Sequence, residues 1–353
     1  MKKNIAVLPG DGVGREVTTE AVKVLRKVAD VYKHQFIFQE ALIGAAAIDQ
    51  VADPFPKETE EVCLNSDAIL FGAIGDPRFD NDPKAVVRPE QGLLRMRKSL
   101  GLYANVRPIQ VFSVTAAKSP LKPEVTNNAD FVVIRELIGG IYFGEPRGRS
   151  ENGEKAFDTC IYSKEEIRRV VRFAIDLAKK RKKKLTVVDK ANVLSTSRLW
   201  RETVQEIIKD YPEVLVEFMF VDNTAMQIIK RPSVFDVIVT ENMFGDILTD
   251  EASVITGSMG MLPSASIGEK TAVYEPIHGS FPRAAGKNIA NPIAAILSAA
   301  MLLEYSFRLN KESAAIRQAV SAALAKGYGT PDIVDKNPLS TSQLGDKIVQ
   351  FIK

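Results

Sequence analysis

The chain has 353 residues, about the length of two average domains. Hydrophobic residues make up 45% and charged residues 26%, which excludes disorder for the bulk of the chain. Lysine and arginine number 47 against 44 acidic residues, so the net charge of +3 gives no general attraction to nucleic acid or to a membrane surface.

Short apolar runs alternate with helical patterns along the chain. The expected strands are 5–8, 36–38, 68–71, 131–134, 185–188, 214–221 and 235–240. Between the first two runs, valine and alanine recur at steps of three and four residues, as on one face of a helix. This alternation is typical of α/β layers with a mostly parallel sheet. Segment 120–163 is rich in turn residues and is expected to form a hairpin or arm.

Several features favour a cytoplasmic protein. The longest apolar stretch, 293–303, is shorter than the ~20 residues of a membrane span and is expected to be a buried helix. Cys63 and Cys160 form no disulfide framework, and the first residues lack the long apolar region of a signal peptide. The basic run 179–184 has no interleaved aromatic residues and is expected to be a solvated helix end.

A glycine-rich turn, 10–14, lies between a predicted strand and a predicted helix, and Glu40 stands where a ribose-binding acid follows in a dinucleotide fold. The Rossmann fingerprint requires a glycine in its sixth position, which here is Arg15. The classical Rossmann interpretation is therefore not favoured. Two interpretations of the turn stay open, a purely geometric one and an anion-binding one.

Three aspartates form a candidate metal site. Asp246 and Asp250 are four residues apart in a helical pattern, so both carboxylates project from one face. Asp222 follows the predicted strand 214–221, at the edge where ligands gather in α/β sheets. Carboxylate oxygens suit Mg²⁺ or Mn²⁺. The alternative is a set of solvated surface acids, and because like charges at this spacing repel, a compensating group is expected.

Basic residues supply candidates for a base and for anion binding. Lys190 follows the predicted strand 185–188 and is either a general base or an exposed charge. Arginine binds carboxylates in a bidentate manner, although each arginine taken singly is expected to form a surface salt bridge. The candidates are Arg97, Arg107 and Arg135. Two histidines are too few for a histidine-based metal site.

Five segments, taken together and in order, resemble one family. They are 135–144 (RELIGGIYFG), 188–194 (VDKANVL), 222–227 (DNTAMQ), 242–251 (NMFGDILTDE) and 274–280 (YEPIHGS). The family is that of the metal-dependent β-decarboxylating dehydrogenases of 2-hydroxy acids, which includes the isopropylmalate, isocitrate, homoisocitrate and tartrate/malate enzymes. The resemblance covers nearly the whole chain.

The resemblance implies an α/β fold of two domains that differs from the Rossmann fold, with a mostly parallel sheet and an arm-like β segment. The first domain, 1–102 plus 257–353, holds both termini and the cofactor side. The second domain, 103–256, holds the dimerisation, catalytic and metal residues. The implied assembly is a homodimer whose active sites, in the cleft between the domains, are shared across the interface. Neither a nucleic acid nor a membrane is an expected partner.

The resemblance also implies the roles of the charged residues. Asp246 and Asp250, with the partner subunit's Asp222, would hold one Mg²⁺ or Mn²⁺ per active site, and this ion would chelate the substrate. The partner subunit's Lys190 would be the base, and Tyr142 would assist protonation after CO₂ is lost. The substrate carboxylates would be anchored by Arg97, Arg107 and Arg135.

Segment 88–98 resembles that of the 3-isopropylmalate dehydrogenases, and Glu90 belongs to it as a substrate-binding residue. Leu93 and Leu94, with the partner subunit's Val193, would form an apolar wall for an isopropyl group. Such a wall would leave the third carboxylate of isocitrate unpaired, at a high energetic cost. The implied reaction converts 3-isopropylmalate, a dicarboxylate, to 4-methyl-2-oxopentanoate in leucine biosynthesis.

Two alternatives to this reaction are open. One is a member of the same family that acts on malate, tartrate or homoisocitrate. The other is a non-catalytic scaffold with the same fold, which would be expected to lack some of the catalytic or metal residues. Tyr142, Lys190 and all three aspartates are present, which argues against a scaffold.

The cofactor-binding residues implied by the resemblance are Glu275, His278, Gly279, Ser280, Phe281, Arg283 and Asn291. NAD-using relatives usually carry aspartate at the position of Arg283, where it accepts hydrogen bonds from the adenosine ribose. Arginine has no acceptor but pairs with a 2′-phosphate, so NADP stays open. NAD is favoured because the further tyrosine and arginine of NADP-using relatives are missing. Arg15 and Ile138 also depart from the family pattern, which usually has Pro and often Thr there.

Overall fold

The structure is a computed structural model that describes residues 1–80, 86–112 and 115–353. The chain divides into two compact units. Met1–Leu102 and Ser258–Lys353 together form one of them, which we call the terminal unit. Tyr103–Gly257 form the other, which we call the inserted unit.

Strands and helices alternate through most of the described chain. The strands are β1 (Lys2–Gly10), β2 (Gln35–Glu40), β3 (Ala68–Ala73), β4 (Leu102–Gln110), β5 (Asp130–Glu136), β6 (Gly148–Arg149), β7 (Ala156–Phe157), β8 (Lys184–Asp189), β9 (Leu215–Phe220), β10 (Val237–Thr240), β11 (Pro263–Gly268) and β12 (Ala272–Pro276). The helices are α1 (Gly14–Tyr32), α2 (Ala45–Val51), α3 (Lys57–Leu64), α4 (Pro77–Asp80), α5 (Pro89–Ser99), α6 (Pro123–Thr126), α7 (Lys164–Lys179), α8 (Ser195–Ile207), α9 (Val221–Lys230), α10 (Asn242–Ser253), α11 (Ile293–Tyr305), α12 (Asn310–Ala325) and α13 (Thr341–Phe351).

The terminal unit has the strand order β2-β1-β3-β12-β11. All neighbours in it run parallel except β11 and β12. Helix α1 buries the stripe of valine and alanine that the sequence predicts, and it packs against α11 and α13. The apolar stretch 293–303 is buried on every side within α11, which confirms the expected core helix. None of the helices formed by described residues combines the length and apolar character that a membrane span needs.

The inserted unit has the strand order β4-β5-β10-β8-β9, in which only β4 runs antiparallel to its neighbour. Helices α7 and α8 pack on each other and against this sheet, and α10 packs against β5 and α9. Strands β6 and β7 form a separate antiparallel pair, which confirms the hairpin or arm predicted within 120–163. A mostly parallel α/β architecture is thus confirmed.

Two sequence-based expectations need correction. Strands β4, β11 and β12 were not predicted, because β4 carries polar residues on its inward face and β11 is made of small residues rather than a long apolar run. The basic run 179–184 is not a simple solvated helix end. Arg181 within it bonds the carboxylates of Asp130 (2.9 Å) and Asp236 (2.8 Å), and Asp236 is almost fully buried.

Candidate active site

The inserted unit places two carboxylates on one face of α10, as their spacing predicts. Arg135 and the hydroxyl of Tyr142 both bind the carboxylate of Asp246, the hydroxyl donating to Oδ2 at 2.9 Å. Arg107 approaches Oδ1 of Asp250 at 3.4 Å. The two arginines therefore supply the compensation that the repulsion between the two aspartates requires.

Both arginines are buried, with Arg135 only 3% and Arg107 only 8% exposed, so the expectation of surface salt bridges is wrong for them. Neutral side chains complete their hydrogen bonding, as a buried charge requires. Nε of Arg135 donates to Oδ1 of Asn242 at 2.9 Å. Arg107 donates to Asn105 Oδ1 at 2.7 Å and to Thr249 Oγ1 at 2.6 Å.

Asn105, Asn242 and Thr249 are site residues that were not singled out from the sequence. All three are fully buried polar side chains. A usable signal existed in their spacing. Asn105 lies two residues before Arg107 on the same strand face, and Asn242 and Thr249 lie four residues before and three residues after Asp246 on α10.

Tyr142 ends a 3-10 turn, Gly140–Tyr142, that follows β5. Partial burial and the neighbouring carboxylate of Asp246 raise the pKa of the Tyr142 phenol to about 12. The phenol is therefore protonated at neutral pH and is able to donate a proton.

Lys190 and Asp222 form a second charged pair in the inserted unit, at the carboxyl ends of the neighbouring parallel strands β8 and β9. Nζ of Lys190 lies 2.6 Å from Oδ1 of Asp222, and this hydrogen bond lowers the pKa of the Asp222 carboxyl. Lys190 is held by the hydrogen bond of its backbone N–H to Ser197 Oγ, and the preceding Asp189 is clamped by Arg201. The pair is therefore built on a fixed strand end.

Asp222 does not join Asp246 and Asp250 within one chain. Among the described residues, no group of three histidine, cysteine, aspartate or glutamate side chains is placed to hold a metal ion. The side chain of Asp222 is 63% exposed, and that of Asp250 is 64% exposed. The predicted ligand set includes the partner subunit's Asp222, and both residues face solvent in the single chain.

In the terminal unit, one face of α5 carries Glu90, Leu93, Leu94 and Arg97 at helical spacing. Arg97 is 9% exposed, which corrects the surface salt bridge expected for it as well. Its guanidinium lies 3.7 Å from Oε1 of Glu275, while its buried Nε has no hydrogen-bond partner among the described residues. Leu93 and Leu94 are half-buried and Glu90 is exposed. An apolar wall therefore adjoins a buried cation with an unused donor, which suits an anionic ligand.

The glycine-rich turn meets the predicted cofactor segment. The backbone N–H of Val13 donates to the carbonyl of Ser280 at 2.8 Å. A Cβ atom at Gly75 would lie 3.2 Å from Oε1 of Glu90 and 3.6 Å from Oγ of Ser280, so these groups surround one small cradle. Glu40 instead pairs with Arg15 at 3.1 Å on the exposed surface, a partner that the Rossmann interpretation does not include.

His278 has an unused acceptor. Its Nδ1 lies 2.9 Å from the Gly279 carbonyl, and its buried Nε2 has no partner in the part of the chain that the structure describes. Burial lowers the pKa of the imidazole, so the ring is neutral. With Nδ1 as the donor, Nε2 is a bare acceptor that suits an amino group of a ligand.

The segment after His278 is partly strained and partly open. Phe281 has φ = +40° and is 56% exposed, a left-handed conformation that is unfavourable for a bulky residue. Arg283 is exposed and makes no hydrogen bond or ion pair with any described residue. Asn291 is buried, and its Nδ2 donates to Asp332 at 3.0 Å, so Asp332 is a further residue of this region that was not predicted.

A sequence profile described as isocitrate/isopropylmalate dehydrogenase matches residues 4–348. The chain is 55% identical to a 3-isopropylmalate dehydrogenase of Bacteroides fragilis, with 100% of this chain and 99% of the relative covered. It is 54% identical to one of Aquifex aeolicus (100% and 98% covered) and 56% identical to one of Geobacillus kaustophilus (98% and 94% covered).

Solved structures show the same fold. An isocitrate dehydrogenase from Methylococcus capsulatus matches with a TM-score of 0.88 at 32% identity, covering 99% of both chains. A β-decarboxylating dehydrogenase from Thermococcus kodakarensis matches with a TM-score of 0.81 at 35% identity, covering 99% of this chain and 96% of the other. The chain therefore belongs to the isocitrate/isopropylmalate dehydrogenase family.

Proposed function

We propose that the protein oxidises and decarboxylates 3-isopropylmalate to 4-methyl-2-oxopentanoate, with reduction of NAD, as a step of leucine biosynthesis. The observation that carries the proposal is the face of α5, where Leu93 and Leu94 adjoin the buried cation of Arg97. A dicarboxylate with an isopropyl group offers both an anion and an apolar branch. The names of the full-length relatives at about 55% identity support the same substrate.

The buried guanidinium groups bind the substrate carboxylates in this proposal. Arg97 contributes its unpartnered Nε, and Arg107 and Arg135 are already oriented by Asn105 and Asn242. Because these supporting bonds exist before substrate binds, little side-chain freedom is lost on binding. The side chain of Glu90 faces the same cradle as Ser280 and completes the polar side of the pocket.

The donor set fits one Mg²⁺ or Mn²⁺ per active site, because hard divalent cations prefer carboxylate oxygen. Asp246 and Asp250, with the partner subunit's Asp222, would hold it. When bound, such a cation lowers the pKa of the substrate hydroxyl and offsets the negative charge that develops on its oxygen.

Lys190 and Tyr142 move the protons. In its neutral amine form, the partner subunit's Lys190 would accept the proton of the substrate hydroxyl, either directly or through water, and a bound nicotinamide would supply the acceptor for the hydride of C2. After CO₂ is lost, Tyr142 donates the proton that C3 requires, because its phenol is neutral. The 2.6 Å pairing of Lys190 with Asp222 supports this assignment, because it would bring the base and the third metal ligand to the partner's site together.

NAD is the cofactor in this proposal. Nε2 of His278 is a buried acceptor that no described residue bonds, which fits the amino group of adenine. The same segment contains Gly279, Ser280 and Phe281. Glu275 precedes it in the sequence and Asn291 follows it. Arg283 has no acceptor for a ribose hydroxyl and makes no hydrogen bond or ion pair with the residues that the structure describes, so NADP⁺ is tested alongside NAD⁺.

The active unit is a homodimer with shared sites. Apolar side chains of the inserted unit are exposed near the proposed ligands, notably Val193 (62%), Met226 (56%) and Ile247 (62%). Ile247 directly follows Asp246 on α10, so a surface that covers it would also cover the carboxylates. Exposed apolar surface of this kind is typical of an interface. The two cysteines are free thiols, which supports a reducing, cytoplasmic location.

The test is an assay of NAD⁺ and NADP⁺ reduction with 3-isopropylmalate, in Mn²⁺ or Mg²⁺ and again after a chelator, with isocitrate and D-malate as control substrates. We expect chelator-sensitive turnover of 3-isopropylmalate with NAD⁺. Turnover of a control substrate alone would overturn the assignment of the Leu93–Leu94 wall but keep the catalytic centre. Turnover of none of the three would argue for a different family substrate or a non-catalytic role.

A further inference from the structure

The turn between β5 and Tyr142 is held by a buried carboxylate. Glu136 ends β5 and has no exposed surface. Its Oε1 accepts from the backbone N–H of Ile138 at 3.1 Å, and its Oε2 accepts from that of Gly139 at 2.8 Å. Burying a carboxylate costs free energy unless hydrogen bonds replace those that its oxygens lose to water. Here both oxygens are used on a single turn.

A buried amide holds the carbonyl groups of the same turn. Nδ2 of Asn242 donates to the carbonyl of Leu137 at 3.1 Å and to that of Gly139 at 3.0 Å. The amide is oriented in turn by Arg135, which donates to its Oδ1. Glu136 therefore accepts from two backbone N–H groups of the turn, and Asn242 donates to two of its carbonyl groups.

Tyr162 fixes the position of the next residue. Gly140 has φ = +72°, and a Cβ atom there would lie 2.4 Å from the Tyr162 hydroxyl oxygen, so only glycine fits. The backbone N–H of Gly140 also donates to the carbonyl of Ile161 at 3.1 Å. The 3-10 turn that ends in Tyr142 begins at this glycine.

We propose that Glu136 is a positioning residue. By accepting hydrogen bonds from the N–H groups of Ile138 and Gly139, it fixes the turn that holds the Tyr142 hydroxyl at Asp246. The inference rests on the proposed function, in which Tyr142 donates the proton that C3 requires after CO₂ is lost. Glu136 itself is fully buried and has no surface with which to contact a substrate or cofactor. Replacing it by glutamine puts an NH₂ group where one N–H now donates, so that bond is lost without a change in size.

The kinetic test is a double-mutant cycle of Glu136→Gln and Tyr142→Phe, assayed with 3-isopropylmalate at a pH above 7, where the Glu136 carboxyl is ionised. We expect Glu136→Gln to lower kcat by about 10- to 100-fold, as for a donor displaced by a fraction of an ångström, with KM changed less than about 3-fold. In the Tyr142→Phe background the same change should lower kcat by less than about 3-fold, because the group it positions is gone. The matched control is Glu165→Gln, the same change at an exposed residue of α7.

Equal losses in both backgrounds would overturn the proposal, since Glu136 would then act independently of Tyr142. So would a rise in KM that accounts for the loss of activity. Glu136→Asp keeps the charge but shortens the side chain by one methylene, and it should recover part of the lost kcat. No recovery relative to Glu136→Gln would contradict a role that depends on accepting two N–H groups.

Hydrogen exchange gives a readout that does not depend on activity. In the wild-type protein the amides of Ile138 and Gly139 should exchange more slowly than that of Gly153, whose hydrogen bond lies in an exposed turn. In Glu136→Gln they should exchange at least about tenfold faster, while α8 is unchanged. Wild-type amides as fast as Gly153 would overturn the proposal even if no variant folds. Absence of wild-type turnover, with protected amides, would instead count against the proposed function alone.

Discussion

The inserted unit holds its two sets of charges in opposite ways. Asp246 is bound by Arg135, whose side chain is 3% exposed, and by Tyr142, so that cluster is closed by groups of its own chain. The Lys190–Asp222 pair sits on a rigid strand end, but the Asp222 side chain is 63% exposed. The Asp246 carboxylate is thus held by partners within its own chain, whereas the Asp222 carboxylate is exposed to solvent. In the proposed homodimer, each chain would therefore contribute one half to each of two active sites.

The largest effect should follow removal of one of the two carboxylates on α10, those of Asp246 and Asp250. We expect Asp250→Asn to lower kcat/KM by at least about 10³-fold, because a lost metal ligand removes several kcal/mol of charge stabilisation. The Asp250 side chain is 64% exposed, so the melting temperature should barely change. Steady-state kinetics in Mn²⁺ check this, with the exposed Asp210→Asn as the matched control. Activity within tenfold of wild type would remove Asp250 from the metal site.

Mixed dimers would test the outward-facing pair. Lys190→Ala and Tyr142→Phe homodimers should each be nearly inactive. Random mixing gives about half heterodimers, each with one intact site, so co-expression should restore about a quarter of wild-type activity if sites are shared across a two-fold interface. No recovery from well-mixed subunits would show that each site uses its own Lys190, and the comparison would then fail.

A moderate loss of activity is expected when the hydrogen bonds that support the α10 carboxylates are removed at Arg107. Arg107→Lys keeps the charge but loses the fork that contacts Asn105, Thr249 and Asp250 together. Loss of a charged hydrogen bond is worth about 1.5–3 kcal/mol, so kcat/KM should fall by about 10- to 100-fold, mainly through KM. Kinetics with varied substrate check this. An unchanged KM would mean that Arg107 supports the helix and does not bind substrate.

The smallest effect concerns pH and stability. Burial raises the pKa of Glu136 from about 4.5 in the unfolded chain to about 7, with Glu166 raising it and Arg169 lowering it, both from α7. Protonated Glu136 is favoured by folding, so its contribution is fully present below pH 4.5 and is lost as pH rises towards 7. The melting temperature of wild type relative to Glu136→Gln should therefore fall by a few degrees between about pH 5 and 8. A flat difference would contradict the raised pKa.

Sequence predicted those parts of the fold where one kind of burial dominates. The run 5–8 was recognisable because a strand covered on both faces is continuously apolar, and 293–303 because α11 is buried all round. The sequence does not predict strand β4, because the buried polar side chains of Asn105 and Arg107 break its apolar pattern. These buried polar side chains belong to the candidate active site, and the fold class alone does not require them.

The candidate site shows the same limit. Helical spacing alone placed Asp246 and Asp250 on one face. The contact of Lys190 with Asp222 depends on β8 and β9 being neighbours in the sheet, and no local pattern states which strands are neighbours. Glu136 was part of a recognised segment, but its grip on the turn depends on backbone geometry that composition does not reveal.

The split of the terminal unit between the two ends of the chain has a consequence for synthesis. Strand β3 is complete at Ala73, but β12, its neighbour on one side, begins only at Ala272, roughly 200 residues later. At about 5–20 residues per second, this leaves an open strand edge on the nascent chain for ~10–40 s. The inserted unit finishes its last strand by Thr240 and is free to fold within that interval. We therefore expect the nascent N-terminal segment, with its fully apolar β3, to be where aggregation begins and where a chaperone is needed.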